Sequence, residues 1–224
     1  LAKIKWDASP NFSSRSGRKP IAIVNHITAG SMPGCLSWLK NPSAQASAHY
    51  IVTRSGEIYQ LVKDENAAWH AGAVNKPSWS LYDGTNPNRY TIGIEHEGQP
   101  NVALTEAQYQ ATLQLHRELI NKHSIPIDTE HIIGHYRIDS VNRPNCPGPK
   151  FPWDRLFNDL RMGVIDVALE KWMIDGGQSA LKELAEKGLV NNVDMWNTEE
   201  ELAKSVPAYL FWMLLNRVAN YGRG

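Results

Sequence analysis

A chain of 224 residues has room for one medium domain plus a small second one, and 42% hydrophobic with 21% charged residues is ordinary for a folded protein with a buried core. Lys+Arg and Asp+Glu both number 23, so the formal net charge is zero and electrostatics direct the chain neither to nucleic acid nor to an anionic membrane. Two cysteines, Cys35 and Cys146, allow at most one disulfide and exclude a disulfide-built scaffold. The opening LAKIKWDASPNF contains no apolar run of signal-peptide length. The late apolar stretch Ala208 to Leu215 falls far short of the roughly 20 residues of a membrane span, so a soluble protein without a membrane span is expected.

Taken in chain order, Ile21–His26 (IAIVNH) is an apolar run suited to a buried central strand. His49–Arg54 and Glu57–Val62 flank Ser55-Gly56, which predicts a tight hairpin with a two-residue loop. Thr91–Glu97 (TIGIEHE) alternates, with Ile92 and Ile94 on one face and Gly93, Glu95 and Glu97 on the other. Thr105 and Gln108 form a capping-box pattern, Leu104 and Tyr109 occupy staple positions, and Tyr109, Leu113, His116 and Ile120 recur at helical spacing. His131–His135 (HIIGH) reads as a further strand, and the loop NRPNCPGPKFPW follows it. The texture changes near Arg161 to a helical one: Val164–Met173, then Ser179–Lys187 stopping at Gly188, then a second capping box at Thr198. Leu210, Phe211, Leu214, Leu215 and Val218 complete an apolar stripe. The sum predicts an α/β fold, a mixed central β-sheet flanked by helices, with a small all-helical C-terminal domain.

Chemistry-bearing side chains gather at the predicted strand ends. His26 closes the first buried strand, and His135 closes the last one after Gly134, whose backbone is expected to turn sharply. Cys146 follows eleven residues later among Pro144, Pro147 and Pro149. Glu95 faces away from the apolar side of its strand. Two His and one Cys satisfy a catalytic zinc, which takes three protein ligands and keeps one position open, and a nearby unligated carboxylate can move the proton of a water. His131 lies on a strand rather than a helix and is not expected to join His135 as a ligand. His96 alternates opposite to Glu95 and is expected to be structural, His116 and His123 need no special role, and Cys35 is expected to be a small buried residue.

The segments VNHITAG, SAHYIVTRSGEIYQLV, AAWHAG, TIGIEHEG and GHYRID…NCPG, in that order, resemble the zinc-dependent N-acetylmuramoyl-L-alanine amidase family over roughly residues 18 to 157. That family (type 2 amidases) includes phage endolysins, bacterial autolysins, a cytoplasmic muropeptide-recycling amidase and animal peptidoglycan-recognition proteins. The resemblance implies zinc as cofactor on His26, His135 and Cys146, with Glu95 helping to activate water. It implies peptidoglycan as partner, and hydrolysis of the amide between N-acetylmuramic acid and L-alanine. Residues 1–160 then form the catalytic domain, and 161–224 a helical domain for wall binding or for a homodimer. The expected place of action is the cell wall after release, for a phage-encoded or bacterial enzyme. His49, Trp69, His70 and Trp79 are expected to bind substrate or support the site, with Tyr82 nearby.

Two positions depart from the family pattern. Pro144 stands where many members carry a Lys for the oxyanion, and Arg143 is the nearest cation able to replace it. Ala48 stands where some members carry a catalytic Tyr, and alternation sends Tyr50 to the other face. Competing readings are a recycling amidase acting on soluble muropeptides, a non-catalytic peptidoglycan receptor, and a metal-free Cys146–His135 hydrolase. Retention of all three ligands and Glu95 favours catalysis over a receptor.

Overall fold

The apolar β-branched runs become strands, and a long helix laid over them buries one face. The computed structural model describes residues 3–161 and 171–188. Its elements are Ile4–Trp6 (β1), Phe12–Ser14 (β2), Ala22–Ile27 (β3), Gly34–Leu39 (α1), Tyr50–Val52 (β4), Ile58–Gln60 (β5), Asn66–Ala68 (β6) and Thr91–His96 (β7), followed by Glu106–His123 (α2), Ile132–Gly134 (β8), Trp153–Arg161 (α3) and Lys171–Glu186 (α4). Six strands form one sheet in the order β1-β5-β4-β7-β3-β8. Strands β4, β7, β3 and β8 run parallel, while β4 and β5 are antiparallel. Strands β2 and β6 pair separately. This is the expected mixed sheet flanked by helices.

One sheet face carries Ile23, Tyr50, Val52, Ile58, Ile92 and Ile94 and packs on Ala111, Leu115 and Leu119 of α2. Each such isoleucine taken fully out of water contributes roughly 1.5–3 kcal/mol. Across the sheet, Ala22, Val24 and Ile133 meet Ala71, Trp79 and Tyr90, and Ile51 meets Leu39 and Leu61. The alternation read in β7 holds: Ile92 and Ile94 lie in the α2 layer, and Glu95 points the other way, beside its register partner His26.

Several local expectations are refined. The hairpin between β4 and β5 closes with Thr53 N–H donating to Glu57 O (2.9 Å), so three residues, Arg54 to Gly56, form the loop instead of two. Thr105 caps α2 by accepting from Gln108 N (3.1 Å), but the Gln108 side chain does not reach back. It is fully buried and donates to Val52 O and Glu97 O instead, tying the helix start to the sheet. Leu104 packs in the cluster containing Tyr109, as a staple requires.

Within the second of two units, Gly163–Gly224, α4 runs from Lys171 to Glu186 without interruption, whereas two separate helices were expected across that range. The helical turn at its end closes with Gly188 N–H on Ala185 O (2.9 Å), at the glycine the sequence marks. The expected capping box at Thr198 and the stripe from Leu210 to Val218 lie outside the described residues. No helix among the described residues is long and apolar enough to cross a membrane.

Buried Asp64 joins the far end of α2 to the sheet. It accepts from Tyr50 Oη, Lys122 Nζ and His123 Nε2 at 2.7, 2.7 and 2.8 Å. Burial pushes this carboxyl up, but the three hydrogen bonds together outweigh it and hold the group well below the usual carboxylate range. A folded-state pKa below the unfolded one stabilises the fold above about pH 3.9 and loses that contribution as pH falls further. Asp64→Asn is therefore expected to cost about 1.5–3 kcal/mol at pH 7, the value of hydrogen bonds to a charged group. The gap from wild type should narrow below about pH 4, and urea unfolding from pH 3 to 7 reads both effects. A gap independent of pH would show that Asp64 acts through packing alone.

Candidate active site

The site forms at the C-terminal ends of three adjacent parallel strands, where open α/β sheets place their ligand crevices. His26 is near the end of β3, Glu95 near the end of β7, and His135 immediately follows β8 in a short 3-10 turn, His135–Arg137. Gly134 has φ −94°, an ordinary value, so no unusual turn is needed there. Its missing Cβ matters instead: a Cβ would meet Pro147 Cδ at 2.8 Å and the Tyr136 ring at 2.6 Å. Cys146 arrives on a loop organised by Asp139, whose carboxylate accepts from Val141 N and Asn142 N. Cys146 N–H then donates to Arg143 O (3.1 Å), and Tyr136 N–H donates to Cys146 O (3.1 Å), locking the thiol over β8.

Three donor atoms converge. His26 Nδ1 lies 3.0 Å from His135 Nδ1 and 3.9 Å from Cys146 Sγ, and the cluster fits within 4.8 Å. All three residues are buried. Burial first, then neighbouring histidines, drive His26 well below 6.5, and burial lowers His135, so both imidazoles are neutral ligands in waiting. Their outer nitrogens are already engaged, His135 Nε2 with Ala71 O and His26 Nε2 with His70 Nδ1, each at 3.0 Å. Two inward Nδ1 atoms beside a sulfur match the N/S donor set of zinc. Burial, and then Glu95, push the thiol up to about 12, so without a metal it stays protonated and is a poor nucleophile.

Glu95 borders this cluster with Oε2 buried and unpartnered. Burial raises its carboxyl to about 7 against the opposing charge of Arg143. Exposed Arg143 lies on the same groove, of about 1460 Å³, with His26, Glu95, His135 and Cys146 in its lining.

Among the expected substrate residues, Trp69 and His70 line the groove. His49 and Trp79 do not. His49 is fully buried, its Nδ1 accepting from Gly93 N (3.0 Å) and its Nε2 donating to Asn66 O (3.0 Å). Trp79 is 3% exposed, stacks on Tyr90 and donates to Glu130 O (2.8 Å), so neither side chain reaches the groove. Tyr82 packs against the same cluster as Trp79. Tyr50 points into the α2 layer, as alternation requires. His96 is fully buried and donates to His26 O (2.8 Å), and His131 pairs with Asp128 outside the cluster. Cys35 is only partly buried and borders the groove, contrary to expectation, and both cysteines are free.

Sequence reasoning missed two contributors. Trp38, 59% exposed, lines the groove from α1, and its position one turn after Gly34 carried no motif. Buried Arg15 donates to Asp64 O, Thr91 O and Asn88 O, bracing the start of β7, with no neighbouring pattern to mark it.

A buried three-donor cluster with a poised carboxylate, set in the wall of a groove, is the arrangement of a hydrolase. Residues 16–149 match the family model for N-acetylmuramoyl-L-alanine amidase. N-acetylmuramoyl-L-alanine amidase A of Achromobacter lyticus is 31% identical over 175 residues, covering 70% of this chain and 91% of that protein. The 1,6-anhydro-N-acetylmuramyl-L-alanine amidase AmpD of Salmonella typhimurium is 40% identical over 112 residues, 50% of this chain and 55% of AmpD, so the chain spans about half of that relative. AmiD from Escherichia coli, solved with the substrate anhydro-N-acetylmuramic acid-L-Ala-D-gamma-Glu-L-Lys, superposes with a TM-score of 0.55 at 25% identity, covering 81% of this chain and 73% of AmiD. The chain belongs to the N-acetylmuramoyl-L-alanine amidase family and is an enzyme of that family.

Proposed function

We propose that this enzyme hydrolyses the amide between the lactyl group of N-acetylmuramic acid and L-alanine in peptidoglycan, with zinc held by His26, His135 and Cys146. The observation that carries the reading is the convergence of two Nδ1 atoms and one Sγ beside the unpartnered Glu95 oxygen. Bound zinc would supply Lewis acidity toward the carbonyl and the attacking water. Glu95 takes the proton of that water as it adds to the carbonyl carbon. Glu95 then returns the proton to nitrogen as the C–N bond breaks, releasing the L-alanine amine. Arg143 donates to the oxygen that gains charge during the addition. Trp38 and Trp69 offer ring surfaces to the glycan or the stem peptide.

We assign the enzyme to the wall itself, as an endolysin or autolysin acting outside the cell after release. Segment 161–224 would serve as a wall-docking or dimerising unit. The open groove with Trp38 on its border supports access by a polymer. A second reading, action on soluble anhydro-muropeptides, is favoured by the 40% identity to AmpD. Digestion of purified sacculi and of an anhydro-muramoyl tripeptide in parallel, with and without chelator, separates these readings by mass spectrometry. Free L-alanine amino termini from sacculi, lost with chelator, are expected. Cleavage of the tripeptide alone would move the enzyme to recycling, and cleavage unaffected by chelator would sink the zinc reading.

A further inference from the structure

We propose that the dipeptide His70-Ala71 is a positioning element that fixes both histidine ligands from behind, presenting the Nδ1 lone pairs of His26 and His135 to the metal. This rests on the zinc-site reading above. For His135 a single hydrogen bond decides the tautomer. Its Nε2 faces Ala71 O at 3.0 Å, a carbonyl only accepts, so Nε2 carries the proton and Nδ1 keeps its lone pair.

For His26 the decision is made three hydrogen bonds away. Thr91 has a single hydroxyl proton, and its Oγ1 lies 2.8 Å from Pro87 O, another carbonyl that only accepts. The hydroxyl donates there, so its oxygen accepts from His70 Nε2–H at 3.1 Å. His70 Nδ1 is then unprotonated and accepts from His26 Nε2–H at 3.0 Å, which leaves His26 Nδ1 free to ligate. The reverse setting turns the Thr91 hydroxyl toward His70, abandons the Pro87 carbonyl, and puts a proton on His26 Nδ1. That proton would face His135 and Cys146 and block ligation.

The surroundings hold this relay in place. Asn88 Oδ1 accepts from both His70 N (3.1 Å) and Ala71 N (2.8 Å), anchoring the dipeptide at the backbone. Gly93 leaves room for the His70 ring, because a Cβ there would sit 2.3 Å from its Cγ. His70, Ala71, Asn88 and Thr91 are all buried, so water does not compete for these bonds.

The test titrates zinc into the full chain against a chelator of known affinity, for wild type, Thr91→Val, Thr91→Ser and His70→Ala. Thr91→Val keeps the shape and removes the hydroxyl, and Thr91→Ser restores it. Loss of an outer partner of a metal-bound histidine weakens binding roughly 10–100-fold. His70→Ala is expected in that range, Thr91→Val near its lower end, and Thr91→Ser at the wild-type value. Long-range 1H–15N spectra of the zinc-loaded chain should show His26 and His135 protonated on Nε2. Wild-type affinity in a folded Thr91→Val, or His26 protonated on Nδ1, overturns this inference while leaving the zinc reading intact. A wild-type chain that takes up no zinc overturns both. The isosteric Thr91→Val decides the matter even if His70→Ala does not fold.

Discussion

Glu95→Gln is expected to lower kcat by roughly 10²–10⁴-fold, the usual worth of a positioned general base, while all three zinc ligands stay in place. The substitution keeps the size and planarity of the side chain and removes only its basicity. Glu95 Oε2 has no hydrogen-bond partner, so no structural bond is lost with it. The same burial that leaves it unpartnered raises the carboxyl from 4.5 to about 7 in the metal-free site, with Arg143 opposing. A pKa raised on folding means that the folded state holds its proton longer than the unfolded chain. Ionised Glu95 therefore costs the metal-free fold stability, a cost that grows from about pH 4.5 and is complete above about pH 7. Metal-free Glu95→Gln should accordingly melt above metal-free wild type at pH 8 and level with it at pH 4. Steady-state rates with a soluble muropeptide and melting curves at the two pH values check both halves. Full activity in Glu95→Gln would remove the carboxylate from the mechanism, whatever the melting curves show.

The parts of this site that could be read from sequence are those in which chemistry and periodicity coincide. His26 ends an apolar run, and Glu95 alternates with Ile92 and Ile94, so the two strands place them on one face, and the observed register makes them direct partners. Tyr50 was sent to the opposite face by the same alternation. Features fixed by tertiary contact carried no such signal. Strands β2 and β6, Phe12–Ser14 and Asn66–Ala68, are three-residue pieces with no alternation of their own, formed because they meet each other. His49 and Trp79 sit in motif-like segments beside groove residues, yet one is buried under Gly93 N and the other stacks on Tyr90. The family resemblance marks positions without saying which way a side chain turns. Gln108 shows the same limit at smaller scale: its place in the capping pattern is right, but buried carbonyls of Val52 and Glu97 compete for its amide and win.

Cys146 gives the sharpest division between the zinc mechanism and a thiol nucleophile. Cys146→Ser is expected to weaken zinc binding by more than the roughly 10–100-fold that losing an outer partner costs, and to lower activity in proportion to the zinc lost. A serine hydroxyl does not ionise near neutral pH and offers the metal a much poorer donor than thiolate. Metal binding also has to take the proton from a thiol that burial holds up to about 12, so the affinity of the wild-type site should rise with pH. Cys146→Asp separates ligand from nucleophile, because a carboxylate is an accepted zinc ligand and gives up its proton far more readily than a buried thiol. Under the ligand role this variant keeps more zinc and more activity than Cys146→Ser, with a shallower dependence of affinity on pH. Under a nucleophile role, serine, which at least retains a hydroxyl, should outperform aspartate, and chelator should leave both unchanged. Zinc content by atomic absorption beside initial rates for the three proteins decides between them, because the two mechanisms rank the variants in opposite order.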